Sequence, residues 1–557
     1  MKYDAIVVGS GISGGWAAKE LTEKGLKTLL LERGRNVEHV KDYPTATKKV
    51  WEFPHRGQNT VDMKATHPVQ RRDYPYNEFA PDFWVNDLEN PYTEVKRFDW
   101  YRGYHVGGRS LMWGRQSYRW SDFDFEANLR DGIATDWPIR YADLAPWYDY
   151  VETFAGISGS MEGLAQLPDG KFLPPMELNI VEQTVAERLK KHYRDKRRLI
   201  IGRTANLTVP HNGRGSCQFR NLCSRGCQFG AYFSTQSSTL PAAMATGNLT
   251  LRPFSTVNRI LYDKDTKRAR GVMVIDTETG ETYEYEAKVI FLCASALNST
   301  FILLNSIDTG SLPDGLGNAS DQLGRNLMDH HFRCGAGGIV EGFDDKIPFG
   351  RRANGFYIPR YRNLFGDKRD YLRGFGYQGG ANRQGWNRDV AEMGIGAPLK
   401  EVLVEPGQWS IGMTGFGEIL PYADNRATLD KTKKDKLGQP VLSIEAEIKE
   451  NELKMRKDMM QDAVEMLEAA GVKNVRSFDN GYYLAMGIHE MGTARMGTDK
   501  KNSVLNRWNQ MHEVPNVFCT DGASMTSAAA VNPSLTYMAM TARAVDYAVK
   551  ELKKGTL

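Results

Sequence analysis

The sequence predicts an α/β protein: a doubly wound, Rossmann-type domain, joined to a second, α+β domain built on a large, mostly antiparallel sheet. Three observations predict this: a glycine-rich strand–turn–helix–strand unit at residues 2–34, a second strand-to-helix crossing near residue 292, and a change after residue 331 to strands rich in glycine and aromatic residues. Strands that alternate with helices are typical of parallel sheets, whereas consecutive strands indicate antiparallel pairing.

The first unit begins with an apolar, β-branched run at residues 5–8, which predicts a strand buried on both faces. Glycines follow in G-x-G-x-x-G spacing. Gly9 allows a tight turn, Gly11 lets the backbone approach a pyrophosphate, and Gly14 lets the helix pack closely on the strand. Glu32 ends the next strand, where it can bond ribose hydroxyls. The unit predicts a dinucleotide site, and it does not separate NAD from FAD.

Later segments complete this domain. Residues 257–275 and 283–292 are predicted strands, and the second runs into small residues and a helix at 300–305. Such a crossing suits the other side of a dinucleotide site. Residues 517–522 form a last strand with an Asp-Gly end, and a final helix covers about 534–553.

The change after residue 331 to strands rich in glycine and aromatic residues sets the expected domain boundaries. Strand-like pieces at 372–378 and 408–420 precede a long amphipathic helix at 449–470. We expect a discontinuous dinucleotide-binding domain from 1–330 and 482–557, which includes a cysteine loop at 211–231. We expect a substrate-binding domain at 331–481, to which 41–100 and 165–200 could contribute.

Composition narrows the function classes. The chain has 557 residues, and its 72 basic and 68 acidic residues leave a net charge of +4, too balanced to indicate nucleic acid or a membrane surface as partner. No run of eighteen apolar residues occurs, so no direct membrane insertion is expected. No basic and apolar leader precedes the first strand, so no signal peptide is expected. Six cysteines, three clustered and three scattered, do not form a disulfide framework.

The clustered cysteines are Cys217, Cys223 and Cys227, set on a glycine-rich loop. Three soft thiolates suit a metal or an iron–sulfur cluster, and glycines let backbone N–H groups reach the cluster sulfides. With no fourth cysteine nearby, three ligands favour a [3Fe-4S] cluster. A Cys₃His zinc site that recruits His211 and three plain buried thiols are the alternatives.

Several motifs stand in the order of one known family. They are residues 9–14 with Glu32, Gly107-Gly108 with Trp113, residues 324–330, residues 489–493, and Asp521-Gly522 through Asn532-Pro533. With these motifs, the chain resembles the glucose–methanol–choline (GMC) oxidoreductase family. The resemblance implies FAD, a doubly wound FAD-binding domain and a separate substrate domain. It implies cofactor contacts from Gly9, Gly11, Gly14, Glu32, Gly107, Gly108, Ser110, Trp113, Val257, Ala294, Asp521, Gly522, Pro533 and Thr536.

One departure from the family concerns how FAD is held. Some sugar oxidases of the family tether FAD through a histidine just before the tryptophan. Met112 occupies that position here and cannot form the link, so we expect non-covalent FAD.

Oxidation of an alcohol by a flavin moves a hydride from a C–H group to N5 while the hydroxyl proton leaves. A base with a pKa near neutrality must therefore lie beside the hydroxyl, and histidine suits it. His489 stands in H-x-x-G-T, which resembles the catalytic histidine motif of the family. Asn532 can bond the hydroxyl but cannot take a proton, so the base role falls on His489 alone. We interpret His330 and His331 as structural.

The cysteine spacing resembles that of the bacterial FAD-dependent sugar dehydrogenase branch, whose catalytic subunits carry such a cluster. A cluster passes electrons singly to an acceptor such as a cytochrome c, so a dehydrogenase is preferred to an oxygen-using sugar oxidase. Within that branch the resemblance is greatest to glucoside 3-dehydrogenase catalytic subunits, which implies oxidation of the 3-hydroxyl of a pyranose to a 3-keto sugar. Glucose, gluconate and polyol dehydrogenation stay open.

Candidate sugar contacts come from amides and a flat ring: Gln378, Asn382 and Trp386. Relatives in this branch often work with a small subunit that carries the export signal. The protein is therefore expected in the periplasm, by carriage with such a partner, or in the cytoplasm. A non-catalytic flavoprotein is the remaining alternative, and the pair of His489 and Asn532 argues against it.

Overall fold

The computed structural model describes residues 2–308, 312–348, 350–385 and 395–557. Within these residues the helices are α1 (Ile12–Glu23), α2 (Val61–Thr66), α3 (Asp122–Phe125), α4 (Ala127–Asp131), α5 (Tyr141–Ala155), α6 (Ile180–Tyr193), α7 (Thr239–Ala245), α8 (Ala296–Asn305), α9 (Ala397–Val404), α10 (Glu450–Ala469) and α11 (Ser534–Lys554). The strands are β1 (Lys2–Val8), β2 (Thr28–Leu31), β3 (Thr93–Glu94), β4 (Ile157–Ser158), β5 (Phe172–Leu173), β6 (Ile200–Ile201), β7 (Leu249–Arg252), β8 (Ser255–Asp263), β9 (Arg268–Asp276), β10 (Thr282–Leu292), β11 (His330–His331), β12 (Cys334–Val340), β13 (Phe356–Ile358), β14 (Phe375–Arg383), β15 (Trp409–Glu418), β16 (Arg426–Lys434), β17 (Pro440–Glu445), β18 (Lys473–Asp479) and β19 (Val517–Cys519).

The first sheet has the order β7-β2-β1-β10-β9-β8, with β19 beside β10. Strands β7, β2, β1, β10 and β19 run parallel, and β8 and β9 form an antiparallel extension. Parallel strands end at one edge of a sheet, so the residues that follow β1, β10 and β19 lie side by side. That edge carries Gly9, Ala294 and Asp521 from three distant parts of the chain. The doubly wound fold predicted for this region is confirmed.

Both faces of this sheet are covered. Ala5 and Val7 of β1 pack in one apolar cluster with residues of α1 and α11, while Ile6 and Val8 pack in the core on the other side. A strand buried on both faces needs no polar alternation, which explains the continuous apolar run.

One predicted strand was wrong in extent. Residues 257–275 form two strands rather than one, because the chain turns between β8 and β9. The carboxylate of Asp263 accepts a hydrogen bond from the N–H of Asp265 at 2.9 Å and so stabilises the turn.

The second sheet has the order β18-β12-β15-β14-β13-β6, with β11 also against β15, and every pairing in it is antiparallel. Helices α6 and α10 cover one face, where Tyr377 and Met413 are buried against them. Side chains alternate along a strand, so Gln378, Thr414 and Phe416 point to the other face, which lines a cavity.

Segments from other parts of the chain join this architecture. Helix α6 lies within residues 165–200 and covers one face of the antiparallel sheet. Strand β6 begins at residue 200 and pairs with β13 at the end of that sheet. Strands β16 and β17 pair instead with β3 in a separate three-stranded sheet. Residues 41–100 carry only α2, β3 and short 3₁₀ turns, and their division between domains stays a prediction. In the described part of the chain, no helix is both long enough and apolar enough to cross a bilayer.

Candidate active site

A cavity of about 680 Å³ is lined by residues of both large sheets. Most of the residues singled out from the sequence line it: Gly9, Gly11, Glu32, Gly108, Ser110, Met112, Trp113, Val257, Ala294, Gln378, His489, Asp521, Gly522 and Asn532. The cavity therefore joins the predicted nucleotide site at the edge of the parallel sheet to the predicted reacting residues.

Five predicted contacts lie outside the lining: Gly14, Gly107, Asn382, Pro533 and Thr536. A Cβ on Gly14 would lie 1.7 Å from the carbonyl oxygen of Gly9, so this glycine serves the close packing of α1. The hydroxyl of Thr536 bonds that of Tyr148 at 2.7 Å. Asn382 is exposed, because it lies four residues, about 13 Å, along β14 from the cavity-lining Gln378. Trp386 lies outside the described residues.

The nucleotide end of the cavity is suited to an anion. Helix α1 begins after Gly11 with no capping side chain and no acid in its first turn, so its first N–H groups are available to a pyrophosphate. A Cβ on Gly11 would meet no atom within 4 Å, so space for a ligand lies beside it. The buried hydroxyl of Thr256, in the wall of the cavity, has no hydrogen-bond partner within the described residues.

Glu32 lies at the same end. Its carboxylate accepts hydrogen bonds from the N–H of Ser10 at 3.1 Å, the hydroxyl of Ser10 at 2.7 Å and the N–H of Gly34 at 3.1 Å. A carboxylate has about four acceptor sites, so capacity remains for a ribose hydroxyl. Burial raises the pKa of Glu32, and its hydrogen bonds with Ser10 and Gly34 oppose that shift. The residues at this end fit FAD.

At the other end, His489 is held by a buried carboxylate. Asp329 accepts hydrogen bonds from the N–H groups of His489 at 2.9 Å, Gly487 at 2.9 Å and His330 at 2.7 Å, and from the hydroxyl of Tyr482 at 2.7 Å. Burial, followed by the nearby His330 and Arg109, lowers the pKa of His489 well below 6.5. The imidazole is therefore neutral at neutral pH, as a general base must be.

His330, interpreted from the sequence as structural, contacts His489 directly. The two Nδ1 atoms are 3.0 Å apart, and Nε2 of His330 lies 2.9 Å from the carbonyl oxygen of Ala529. Asp329, His330 and His489 bring three ligand atoms within 4.8 Å of one another, as a metal site would. The carboxylate already accepts four hydrogen bonds and both nitrogens of His330 have partners, so we interpret the cluster as a hydrogen-bond network.

Asn532 is oriented by a second network. Nε2 of Gln378 donates to Oδ1 of Asn532 at 2.8 Å, and Nε2 of Gln116 donates to Oε1 of Gln378 at 3.3 Å. The hydroxyl of Tyr118 donates to Oε1 of Gln116 at 2.7 Å. With its oxygen occupied, Asn532 presents its NH₂ group to the cavity. Gln378, predicted as a sugar contact, therefore also holds Asn532.

Sequence reasoning missed three cavity residues. Arg109 makes a two-pronged ion pair with Glu490, with N–O distances of 3.1 and 2.7 Å. Asp73 is 7% exposed and lines the cavity, and only the N–H of Tyr74 bonds its carboxylate among the described residues. Burial raises the pKa of Asp73 to about 7. Arg109 follows the Gly107-Gly108 motif and Glu490 lies within the motif at residues 489–493, but nothing in the sequence shows that they pair, and Asp73 lies in a segment without periodicity.

The cysteine loop lies behind the cavity wall. Cys217, Cys223 and Cys227 are unpaired and partly buried. The N–H of Arg351, a cavity residue, donates to the carbonyl of Phe219 within the loop at 3.2 Å. Among the described residues, the three sulfur atoms do not all lie within 4.8 Å of one another. Sulfur atoms bound to one zinc ion would be about 4 Å apart. Nε2 of His211 lies 2.7 Å from the carbonyl of Thr153. The zinc alternative with His211 is not supported.

Comparison with known proteins gives a family. Two GMC oxidoreductase family models match, one at residues 3–332 and one at residues 421–541. The chain is similar to 2-methyl-1,2-propanediol dehydrogenase of Mycolicibacterium austroafricanum, at 30% identity over 98% of this chain and 94% of that protein. It is similar to the fructose dehydrogenase large subunit of Gluconobacter japonicus, at 24% identity over 100% and 99%. Paromamine 6'-oxidase of Streptomyces fradiae is 27% identical over 97% and 90%.

The fold has solved counterparts as well. The pyridoxine 4-oxidase structure from Mesorbium loti superposes with a TM-score of 0.62 at 17% identity, over 98% of this chain and 99% of that one. At this identity the likeness concerns the fold alone. The family models cover both the nucleotide end and the segment with His489 and Asn532. The chain therefore belongs to the GMC oxidoreductase family.

Proposed function

We propose that this protein is an FAD-dependent dehydrogenase that oxidises a secondary hydroxyl of a sugar or glycoside. One observation carries the proposal: His489 and Asn532 line the same cavity as the nucleotide end, with a ring nitrogen and an amide N–H group that have no protein partner among the described residues. A proton acceptor and a hydrogen-bond donor are what removal of a hydroxyl proton requires.

When bound, FAD supplies the hydride acceptor. His489 takes the hydroxyl proton, and its lowered pKa keeps the ring neutral and ready to accept. Asn532 donates to the substrate oxygen and stabilises the negative charge that develops there. The aromatic ring of Phe416, 5.7 Å from that of His489, helps to keep water from the reacting end.

The cavity wall supports a polyhydroxylated substrate. The carboxylate of Asp73 can accept hydrogen bonds from hydroxyl groups, and Tyr74, Trp84 and Trp100 offer flat apolar area for the C–H faces of a sugar. Relatives named for fructose and paromamine support the same class. The 3-hydroxyl of a pyranose as the site of oxidation rests on the resemblance to the glucoside 3-dehydrogenase branch.

Anaerobic reduction of the protein-bound flavin by a panel of sugars, glycosides and polyols tests this function. We expect bleaching by a pyranose and a 3-keto product by NMR. Bleaching by simple diols alone, or by none of the compounds, would contradict a sugar dehydrogenase. Acid precipitation of the same sample should release the flavin, because Met112 cannot tether it.

We propose further that Cys217, Cys223 and Cys227 hold a [3Fe-4S] cluster that passes electrons to a cytochrome c or a similar acceptor. The position of their loop behind the cavity wall supports this route. Iron and acid-labile sulfide in the purified protein should be lost in Cys217→Ser and kept in Cys334→Ser, a buried thiol of the antiparallel sheet. Zinc without iron, or no metal, would end the proposal.

An oxygen-using sugar oxidase is the second candidate, favoured by the similarity to paromamine 6'-oxidase. The two functions predict different products of reoxidation. A dehydrogenase should reduce cytochrome c or a dye with little peroxide, and an oxidase should form peroxide in proportion to the sugar consumed.

The relative named as a large subunit supports a further partner. We propose a small subunit that would carry this chain to the periplasm. Co-purification and cell fractionation with and without that subunit would separate this location from the cytoplasm.

A further inference from the structure

The protonation of His330 follows from its neighbours. Its Nε2 lies 2.9 Å from the carbonyl oxygen of Ala529, and a carbonyl oxygen can only accept, so this nitrogen carries a proton. Burial lowers the pKa of His330 to about 4, which keeps the ring neutral at ordinary pH. A neutral imidazole has one proton, so Nδ1 of His330 is a bare acceptor.

The protonation of His489 follows in turn. Its Nδ1 lies 3.0 Å from Nδ1 of His330, and two bare nitrogens at that distance would repel each other. His489 must therefore donate from Nδ1, which leaves the lone pair on Nε2. No described residue contacts that atom through a hydrogen bond, and His489 lines the cavity.

We propose that His330 is the positioning residue that holds the proton of His489 on Nδ1, so that Nε2 is the atom that accepts the substrate hydroxyl proton. The inference deepens the proposed function and depends on it. In the step, the O–H bond breaks, an Nε2–H bond forms, and the imidazolium keeps its Nδ1–H bond to His330. The proton does not pass to His330, whose other nitrogen already donates to a carbonyl.

The charged groups that face His489 do not bond its ring nitrogens, so they do not hold the proton on Nδ1. Asp329 bonds its backbone N–H rather than its ring. The guanidinium of Arg109 is paired with Glu490 and bonds the carbonyl of Ile488 at 3.2 Å. The ring nitrogen Nδ1 has one partner in the described structure, and that partner is His330.

The next residue provides a matched control. His331 is as buried as His330, at 0% exposure, and lies on the same short strand. Its Nε2 approaches the sulfur of Met455 at 3.2 Å, and its Nδ1 has no partner. His331 thus fills space without touching His489.

Two substitutions at residue 330 separate orientation from packing. In His330→Asn, the amide oxygen can take the place of Nδ1 as acceptor, so flavin reduction should stay within about tenfold of wild type. In His330→Gln, the amide reaches the position of Nε2 and can still bond Ala529, but no acceptor faces His489. Flavin reduction should then fall between about tenfold and about 10⁴-fold, the larger figure being that of a catalytic histidine held in the wrong tautomer.

In His330→Gln, the limiting rate of flavin reduction should fall with little change in the substrate concentration at half-saturation. The pH dependence of flavin reduction should also shift in this variant. His331→Asn and His331→Gln should lower thermal stability without these kinetic changes. Equal losses in the Asn and Gln variants of residue 330, or equal effects at residues 330 and 331, would show a merely structural role.

A second readout needs no substrate. In protein labelled with ¹⁵N-histidine, the ring signals that disappear in His489→Ala report the tautomer of His489. We expect a protonated Nδ1 and a bare Nε2 in wild type, and a mixture in His330→Gln. A protonated Nε2 in wild type overturns the inference even if sugars reduce the flavin. The expected tautomer together with no reduction by any sugar refutes the proposed function and leaves the orientation standing.

Discussion

The two ends of the cavity are built in different ways. The central part of the nucleotide end, Gly9, Gly11 and Glu32, comes from one short stretch of chain positioned by β1, α1 and β2, and Ala294 and Asp521 are added to it from distant strands. The reacting end gathers its side chains from far-apart segments, and His330 and His489 are 159 residues apart. A local unit can be predicted from spacing, because its geometry follows from consecutive elements. An assembled site depends on how distant elements pack.

The largest expected effect is at the reacting end. His489→Ala should slow flavin reduction by about 10²–10⁴-fold, the usual loss on removal of a general base. FAD content should be unchanged, because the nucleotide end is separate. Stopped-flow reduction and flavin absorbance measure both quantities. Near-normal reduction would remove His489 from the mechanism, and loss of FAD would show that the two ends are not independent.

The nucleotide end should respond differently at two glycines of one motif. In Gly14→Ala the new Cβ would lie 1.7 Å from the carbonyl of Gly9, so the fold itself should be damaged. In Gly11→Ala the Cβ meets only open space and φ is −68°, so the protein should fold and lose FAD affinity by about tenfold or more. Circular dichroism and flavin titration of the FAD-free protein check this. Equal stability of the two variants would contradict the assigned roles.

Asp73 sharpens the comparison because it lies on the wall of the cavity, in a segment with little regular structure. Measured above pH 7, where a carboxyl with a pKa of about 7 is mostly ionised, Asp73→Asn should weaken sugar binding by about tenfold, since a hydrogen bond to a charged group contributes about 1.5–3 kcal/mol. The limiting rate of flavin reduction should change little. Asp82→Asn, in the same segment but outside this cavity, is the control. A loss of FAD affinity instead would place the Asp73 carboxylate against the cofactor.

The smallest expected effect is a displacement of the pH profile. Because the pKa of His489 lies well below 6.5, the neutral base persists below that pH, and reduction should decline only in more acidic solution. The joint change Arg109→Gln with Glu490→Gln removes a cation that lowers this pKa, so the decline should move to higher pH. A wild-type decline centred at or above 6.5 would contradict the structure.

Particular residues show how far the sequence could predict the molecule. The run at residues 5–8, its glycines and the strand before Ala294 predicted the parallel sheet, because apolar runs and turn residues act locally. The motif at residues 324–331 marked a boundary, yet Asp329 and His330 hold the reacting histidine. That contact forms only when β11 joins the antiparallel sheet.

Other residues of the site gave no usable signal or an incomplete one. Gln378 stands out in the sequence as an amide suited to sugars, and the structure shows that its amide bonds Asn532. The partner of a side chain 154 positions away cannot be known from spacing. Asp73 lacks any pattern around it, because loop residues are placed by the surfaces they cover.

The four hydrogen bonds to Asp329 bear on how a bulky molecule enters and leaves. Its carboxylate ties strand β11 of the antiparallel sheet to the loop at residues 487–489. Swinging that sheet away would break the bonds from Gly487 and His489 to Asp329 together and would misplace both imidazoles. We therefore expect substrate to enter past Tyr74, a cavity residue that is 71% exposed and lies in a segment whose backbone has few regular hydrogen bonds to break.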